Sequence, residues 1–286
     1  VQLIDFRAGR YDDFERRQIR RNATRGSLER VRPGVYAEVA DSTAEERHRR
    51  LIEATVPRLA SDATVSHTSA AIVHGLPVLR ARLGPVMTTR PSSNGKRSTY
   101  VHARRALLRP EERVERAGLP LTSLGRTVAD LARMLPFDEA LAAADVAVRM
   151  GLDIRALAEH EGASLRVRRV AHFASGLSES VGESMSRALF IQSGLPPATL
   201  QFRVFNRAGE LFARCDFGWS DWNVVGEFDG DVKYGGTLPG AGDPARAIRD
   251  EKERIEGLRD LGYDPIQWGW RVMRTPVCSL RGYSEH

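Results

Sequence analysis

The sequence predicts an α+β chain of more than one domain, and three observations carry that prediction. Its 286 residues exceed what one minimal domain needs. Up to about residue 177 the apolar residues recur mostly at helical spacing, with short strand-like pieces between. Beyond residue 178 a helix is followed by three strand-like runs joined by tight turns. With 42% hydrophobic and 28% charged residues the chain can bury real cores, which excludes global disorder.

The first forty residues read as a helix and a hairpin. Phe14, Ile19 and Ala23 sit at helical spacing, and Arg25-Gly26 ends the pattern. In GSLERVRPGVYAEV, Leu28, Val31, Val35, Tyr36 and Val39 supply strand formers around a Pro33-Gly34 turn. A helix followed by a short hairpin with arginine at its tip is how a winged helix-turn-helix ends, so the start is expected to be winged-helix-like. Residues 44–78 read as helical, with Ser66 or Thr68 as a cap and Gly75 as a stop. A short strand at 85–88 precedes an exposed loop, RPSSNGKRS, at 90–98. Residues 120–151 read as two structural helices broken near Leu135-Pro136.

The helix SESVGESMSRALFIQSG turns Val181, Met185, Leu189 and Phe190 to its apolar side and stops at Gly194. The runs 200–205, 210–219 and 223–230 follow, and their short turns make them an antiparallel meander. A charged helix from Asp243 to Leu261 and a last strand, PIQWGWRVM, are expected to complete the sheet, with Ile266, Trp268 and Trp270 in the core. The expected organisation is a winged-helix-like region at 1–80, a mixed strand and helix linker domain at 81–177, an α/β domain with a mixed sheet at 178–272 and a tail at 273–286.

Charge favours a polyanionic partner. The formal net charge is +6 and the pI about 9.7. Lysine occurs only at Lys96, Lys233 and Lys252, so forty of the forty-three basic residues are arginine, a bias expected of a GC-rich bacterial genome. Within residues 1–34 nine arginines face five acids. Arg16, Arg17, Arg20 and Arg21 on the helix, with Arg30 and Arg32 on the hairpin, suit phosphate contact beside a helix in the major groove of DNA. They equally suit a solvated helix face in an arginine-rich chain. Lys252 and Arg254, in DPARAIRDEKERIEGLRDLGY, are the phosphate-contact candidates of the late helix, whose mixed charges otherwise suit intrahelical pairs.

Several chemistries find no support. Cys215 and Cys278 are too few for a disulfide framework or a cysteine zinc site. The seven histidines form no metal-ligand spacing, and His67 and His74 read as packing or solvent-facing residues. No GxSxG, Walker-type loop or strand-linked GxGxxG is present. No apolar stretch of about 20 residues and no signal-peptide core occurs, so a cytoplasmic location without membrane contact is expected.

Chemistry concentrates in the meander. Asp216 stands between Cys215 and Phe217, and Glu227 and Asp229 are two apart, hence on one face of a strand. Carboxylates gathered among Val, Phe and Trp repel one another unless a cation joins them, and Mg²⁺ or Mn²⁺ takes such oxygen ligands while keeping waters. Glu183 on the preceding helix is a fourth carboxylate, and Lys233 is placed to assist an attacking water or a charged transition state. The alternative is a set of exposed strand acids and hairpin caps.

Two resemblances follow from these residues. SLERVRPGVY, HTSAAIVHGLPVL and LPLTSLGRTVADLAR, within residues 1–150, resemble the N-terminal region of the AbiEi-type antitoxin family, which implies a DNA-binding, repressor-like start and a cognate toxin as partner. Glu183, Asp216, Glu227, the EFDG turn and Lys233, within residues 178–270, resemble the PD-(D/E)xK nuclease superfamily, nearest its very-short-patch-repair branch. That resemblance implies metal ligation by Glu183, Asp216 and Glu227 and catalysis by Asp216, Glu227, Asp229 and Lys233. The family's lysine two residues after the glutamate is Asp229 here, so Lys233 stands as a displaced substitute. The expected function is metal-dependent hydrolysis of DNA phosphodiester bonds, and the alternative is a non-catalytic antitoxin or repressor carrying an inactive nuclease fold.

Overall fold

Strand β1 (Ile4–Asp5), helix α1 (Asp13–Thr24) and the hairpin of β2 (Leu28–Arg32) and β3 (Val35–Glu38) open the computed structural model, which describes residues 3–92, 97–230 and 244–273. A reciprocal cap starts α1: Asp12 accepts from Glu15 N at 2.7 Å, and Asp12 N donates to Glu15 at 2.8 Å. Pro33 and Gly34, the latter at φ 76°, turn the hairpin as its sequence predicts. Strand β1 joins the hairpin through β3, giving the antiparallel order β1-β3-β2.

The chain divides into two units, Val1–Phe173 and Ala174–His286. In the first, α2 (Ala44–Thr55) is capped by Thr43 and Glu46 in the same reciprocal way, and α3 (His67–His74) ends at Gly75 with φ 84°. Between them the expected helical run is broken by β4 (Thr64–Val65), a two-residue strand too short to show a period. Its neighbours are β5 (Val86–Arg90), β6 (Val101–Arg105), β7 (Arg113–Arg116) and β8 (Leu119–Thr122), in the mixed order β6-β5-β4-β8-β7. Ile52, Val65, Ala70, Val73, Val86, Leu119 and Leu121 form one core. That core and sheet run across residue 80, so the expected boundary at 80/81 is corrected: residues on both sides share one hydrophobic cluster. The division that does occur, after Phe173, precedes the expected 177/178 boundary by four residues. Helices α4 (Leu124–Met134) and α5 (Phe137–Arg149) break at Leu135-Pro136, and α6 (Ile154–Glu159) and α7 (Leu165–Phe173) complete the unit.

The second unit begins with α8 (Val181–Ser193), where Ser180 caps Glu183 N at 3.1 Å and Gly194 closes the helix. The meander β9 (Thr199–Phe205), β10 (Leu211–Trp219) and β11 (Val224–Phe228) is antiparallel, while β12 (Asp264–Trp268) returns parallel to β11 through α9 (Pro244–Asp260). The order is β12-β11-β10-β9. Leu258 of α9 packs with Val204, Ala213, Cys215 and Val225, and Phe190 of α8 meets Phe217, Trp219 and Trp268 at 5.2, 5.3 and 5.5 Å. Two of the three residues expected in the core by the last strand depart from expectation. Ile266 is 47% exposed, and Trp270 lies in α10 (Trp270–Met273) against Phe228 at 5.0 Å. β12 is an edge strand, which leaves Ile266 half covered. Among the described residues there are ten α-helices and twelve strands in three mixed or antiparallel sheets, and no helix is long and apolar enough to cross a membrane.

Three histidines of the first unit are buried rather than loosely packed. His48 meets Ser69 at 2.9 Å, His74 Nε2 donates to the Thr122 carbonyl at 2.8 Å, and His67, in a strained backbone at φ 52°, meets Ser66 at 2.8 Å. Burial pushes His48 and His67 down to about 4 and lowers His74 as well. The unfolded chain therefore binds protons that the folded chain refuses, so the stability these residues carry is complete above about pH 6.5 and is lost as the pH falls toward about 4. Urea midpoints measured from neutral pH downward are expected to fall less steeply for His48→Gln than for the native chain, and parallel slopes would show that His48 does not take part.

Candidate carboxylate site

The antiparallel register of β10 and β11, with Phe217 opposite Gly226, brings Asp216 alongside Glu227. The helix α8 reaches the same place because position 182 is glycine: a Cβ there would come within 2.0 Å of the Phe228 ring. Glu183, one residue on, accepts from Glu179 N at 2.7 Å and from the Gln201 side chain at 3.1 Å. Asp216 accepts from Phe228 N at 2.9 Å. Glu183, Asp216, Glu227 and Asp229 all line one open cavity of about 630 Å³, so three separate segments deliver four of the expected carboxylates to one place. Asp229 stands one residue past the end of β11, its N–H donating to the Trp268 carbonyl at 2.8 Å.

The electrostatics follow from that gathering. Burial, reinforced by Glu183, Glu227 and Glu179, pushes the Asp216 carboxyl up to about 6, against the pull of the Phe228 N–H. Arg254 answers part of the negative charge. Its guanidinium holds Glu227 at 2.6 and 2.5 Å and Glu251 at 2.8 Å, and these bonds raise its pKa. Gln267 donates to Glu251 at 2.5 Å. Glu251 and Gln267 line the cavity and escaped the sequence reading; the signal for Glu251 was its i,i+3 spacing from Arg254. Buried Cys215 has its thiol pushed up to about 12, chiefly by burial, which makes it a packing residue and no nucleophile.

The late-helix candidates sit in different surroundings. Arg254 is engaged by two carboxylates, so it is not presented to a phosphate in this structure, because the acid-rich cavity outcompetes solvent for its guanidinium. Lys252 is 75% exposed and 3.8 Å from Glu256, a solvated intrahelical pair. Lys233 lies outside the described residues. No group of three or more His, Cys, Asp or Glu side chains among the described residues is drawn together tightly enough to hold a metal ion; Glu227 is engaged by Arg254, and Glu183 by the Glu179 N–H and the Gln201 amide. The carboxylates Glu183, Asp216, Glu227 and Asp229 are hard oxygen donors of the kind a divalent cation takes, in a cavity that Arg214, Arg254 and Gln267 also line.

The arginines of the first unit separate into two sets. Arg16 and Arg20 lie over the Phe6 ring at 5.6 and 5.9 Å, and Arg32 lies over Tyr100 at 5.0 Å with its Nε and Nη1 buried. Arg17, whose Nε donates to the Asp13 carbonyl at 3.1 Å, Arg21 and Arg30 are exposed, and so is Arg20 beside its ring contact. Phe6 and Tyr100 were not read as partners, because cation–π contacts between distant segments leave no local pattern.

No family model matches the chain. It is 32% identical over 154 residues to the uncharacterized proteins MT2308 and Rv2248 of Mycobacterium tuberculosis, strains CDC 1551 and H37Rv, an alignment of 51% of this chain and 54% of each relative. The chain thus spans about half the length of the curated relatives it matches. The crystal structure of the RV2827C protein from Mycobacterium tuberculosis is similar at 14% identity and a TM-score of 0.39, over 72% of this chain and 84% of that one.

The raised Asp216 carboxyl sets a stability test. Because the folded chain holds this proton more tightly than the unfolded chain, stability falls as the pH rises from about 4 to about 6, and the ionised group is a burden above that. In chelator, Asp216→Asn is expected to gain roughly 1 kcal/mol near neutral pH, after allowance for solvent screening, and to gain nothing near pH 4. Equal melting temperatures at both pH values would remove the charge crowding from the account.

Proposed function

We propose that the chain is a DNA-binding protein whose carboxylate cavity is a metal-dependent site of the PD-(D/E)xK type, hydrolysing phosphodiester bonds. The observation that carries this reading is the convergence of Glu183, Asp216, Glu227 and Asp229 on one open cavity, with Asp216 crowded by its acidic neighbours. Glu183, Asp216 and Glu227 are the residues that would hold Mg²⁺ or Mn²⁺, which supplies an activated water and positive charge for the scissile phosphate. Asp216, fixed by the Phe228 N–H, orients what binds beside it, and Asp229 extends the acidic wall. Lys233 is assigned the stabilisation of charge on the phosphate by the resemblance alone. Exposed Arg17, Arg21 and Arg30, on a winged-helix-like start, are the residues proposed to meet the DNA backbone.

A second reading rests on a different observation. With Arg254 seated on Glu227 and Glu251, the cavity already holds an internal cation, as suits a silent nuclease fold in a DNA-binding antitoxin or repressor, with a cognate toxin as partner.

Supercoiled plasmid separates the two. Incubation with Mg²⁺ or Mn²⁺ is expected to give nicking that chelator stops and that Asp216→Ala and Lys233→Ala abolish. Intact plasmid that is still shifted on a gel, with the shift lost in Arg17→Gln/Arg21→Gln, would establish the repressor reading instead. Arg254→Gln adds a readout independent of cleavage. Freed of its arginine, Glu227 is expected to bind Mn²⁺ about tenfold more tightly by calorimetry, the worth of one well-placed ion pair. An unchanged or weaker affinity would show that Arg254 does not compete for the site.

A further inference from the structure

A second cavity, of about 480 Å³, lies within the first unit between α4, α5 and α7. Its floor is apolar, from Ala132, Met134, Leu135, Pro136, Phe137 and Val170, and its walls carry three guanidinium groups, Arg82, Arg166 and Arg169. No carboxylate lines it among the described residues. The three arginines are held differently. Arg82 is matched by Glu139 through a forked pair at 2.7 to 3.1 Å. Arg166 rests on a neutral partner, donating to the Arg133 carbonyl at 3.1 Å, and Arg169 lies over the Phe137 ring, 4.2 Å from its centroid. Neither of those contacts pairs the guanidinium with a carboxylate, and both hold it in place. An ordinary solvated arginine face has no concave apolar floor beneath it, and an ordinary core crevice has no two cations at its wall. The volume falls in the range of small-molecule sites, roughly 300–1,000 Å³, in which a few placed polar groups orient an apolar ligand.

We propose that this cavity binds a small organic anion, a carboxylate or phosphate ester on a flat apolar body. The anionic head pairs with Arg166 and Arg169, as guanidinium groups favour planar oxyanions. The body rests on Phe137, Leu135 and Val170. This inference is independent of the carboxylate site and of the nuclease reading.

Calorimetry on the full chain with 1-naphthoate as probe tests it. Saturable one-to-one binding is expected, weakened by at least about tenfold in Arg166→Gln/Arg169→Gln, which removes both charges from the wall. Both residues are exposed on α7, and each single variant, expected to lose an intermediate amount, guards against an effect of folding. The cationic analogue 1-naphthylmethylamine is expected not to compete, and inorganic phosphate only weakly. The absence of saturable binding, equal affinity in the double variant, or equal binding of the amine would overturn the proposal; full displacement by phosphate alone would overturn its apolar half.

Discussion

Negative charge gathered at one end of a sheet is the constraint on which the second unit turns. Asp216 and Glu227 stand side by side through the β10–β11 register, Glu183 is brought to them by α8, and Glu179, Asp229 and Glu251 lie near. Carboxylates brought this close in a half-buried place raise one another's proton affinity or recruit a cation. Here both happen: the Asp216 carboxyl rises to about 6, and Arg254 crosses from α9 to fork onto Glu227. In the function proposed above, a hard divalent ion would satisfy the same charge and would compete with Arg254 at Glu227.

The scaffold that enforces this crowding is apolar. Phe190 wedges edge-on among Phe217, Trp219 and Trp268, which fixes α8 against the sheet. Gly182 then permits contact with Phe228 at a distance no other residue allows. Leu258 ties α9 to the sheet from its own helix and so holds Arg254 within reach of Glu227. The acids are expensive where they stand, and this packing is what keeps them there. Such conflict between local preference and fold is characteristic of functional sites.

Much of this was legible in the residues. Turns of three or four residues between apolar runs gave the meander, Pro136 broke α4 from α5, and Gly75 and Gly194 stopped their helices where left-handed backbone is needed. The carboxylate set was legible because acids interrupting apolar strands have no packing reason to be there. What stayed hidden was non-local. Strand β4 is two residues long, its pairing with β5 and β8 carries the core across residue 80, and nothing in a window around Thr64 announces it. Lys252 and Arg254 stand out of α9 in the sequence as candidates for phosphate contact, and only the fold separates them, placing Glu227 opposite Arg254 and leaving Lys252 in solvent beside Glu256. The capping pairs Asp12/Glu15 and Thr43/Glu46 were written in the sequence and sharpen two helix starts.

The acidic cavity is proposed to be a divalent-cation site that Asp216 anchors. Thermal unfolding of the full chain with and without Mn²⁺ tests it most directly, because binding to the folded state alone must raise the melting temperature. The account predicts a saturable rise for the native chain and none for Asp216→Asn, each measured against the same protein in chelator, where the variant is expected to start somewhat more stable. A rise of the same size in both proteins, or in neither, would contradict it.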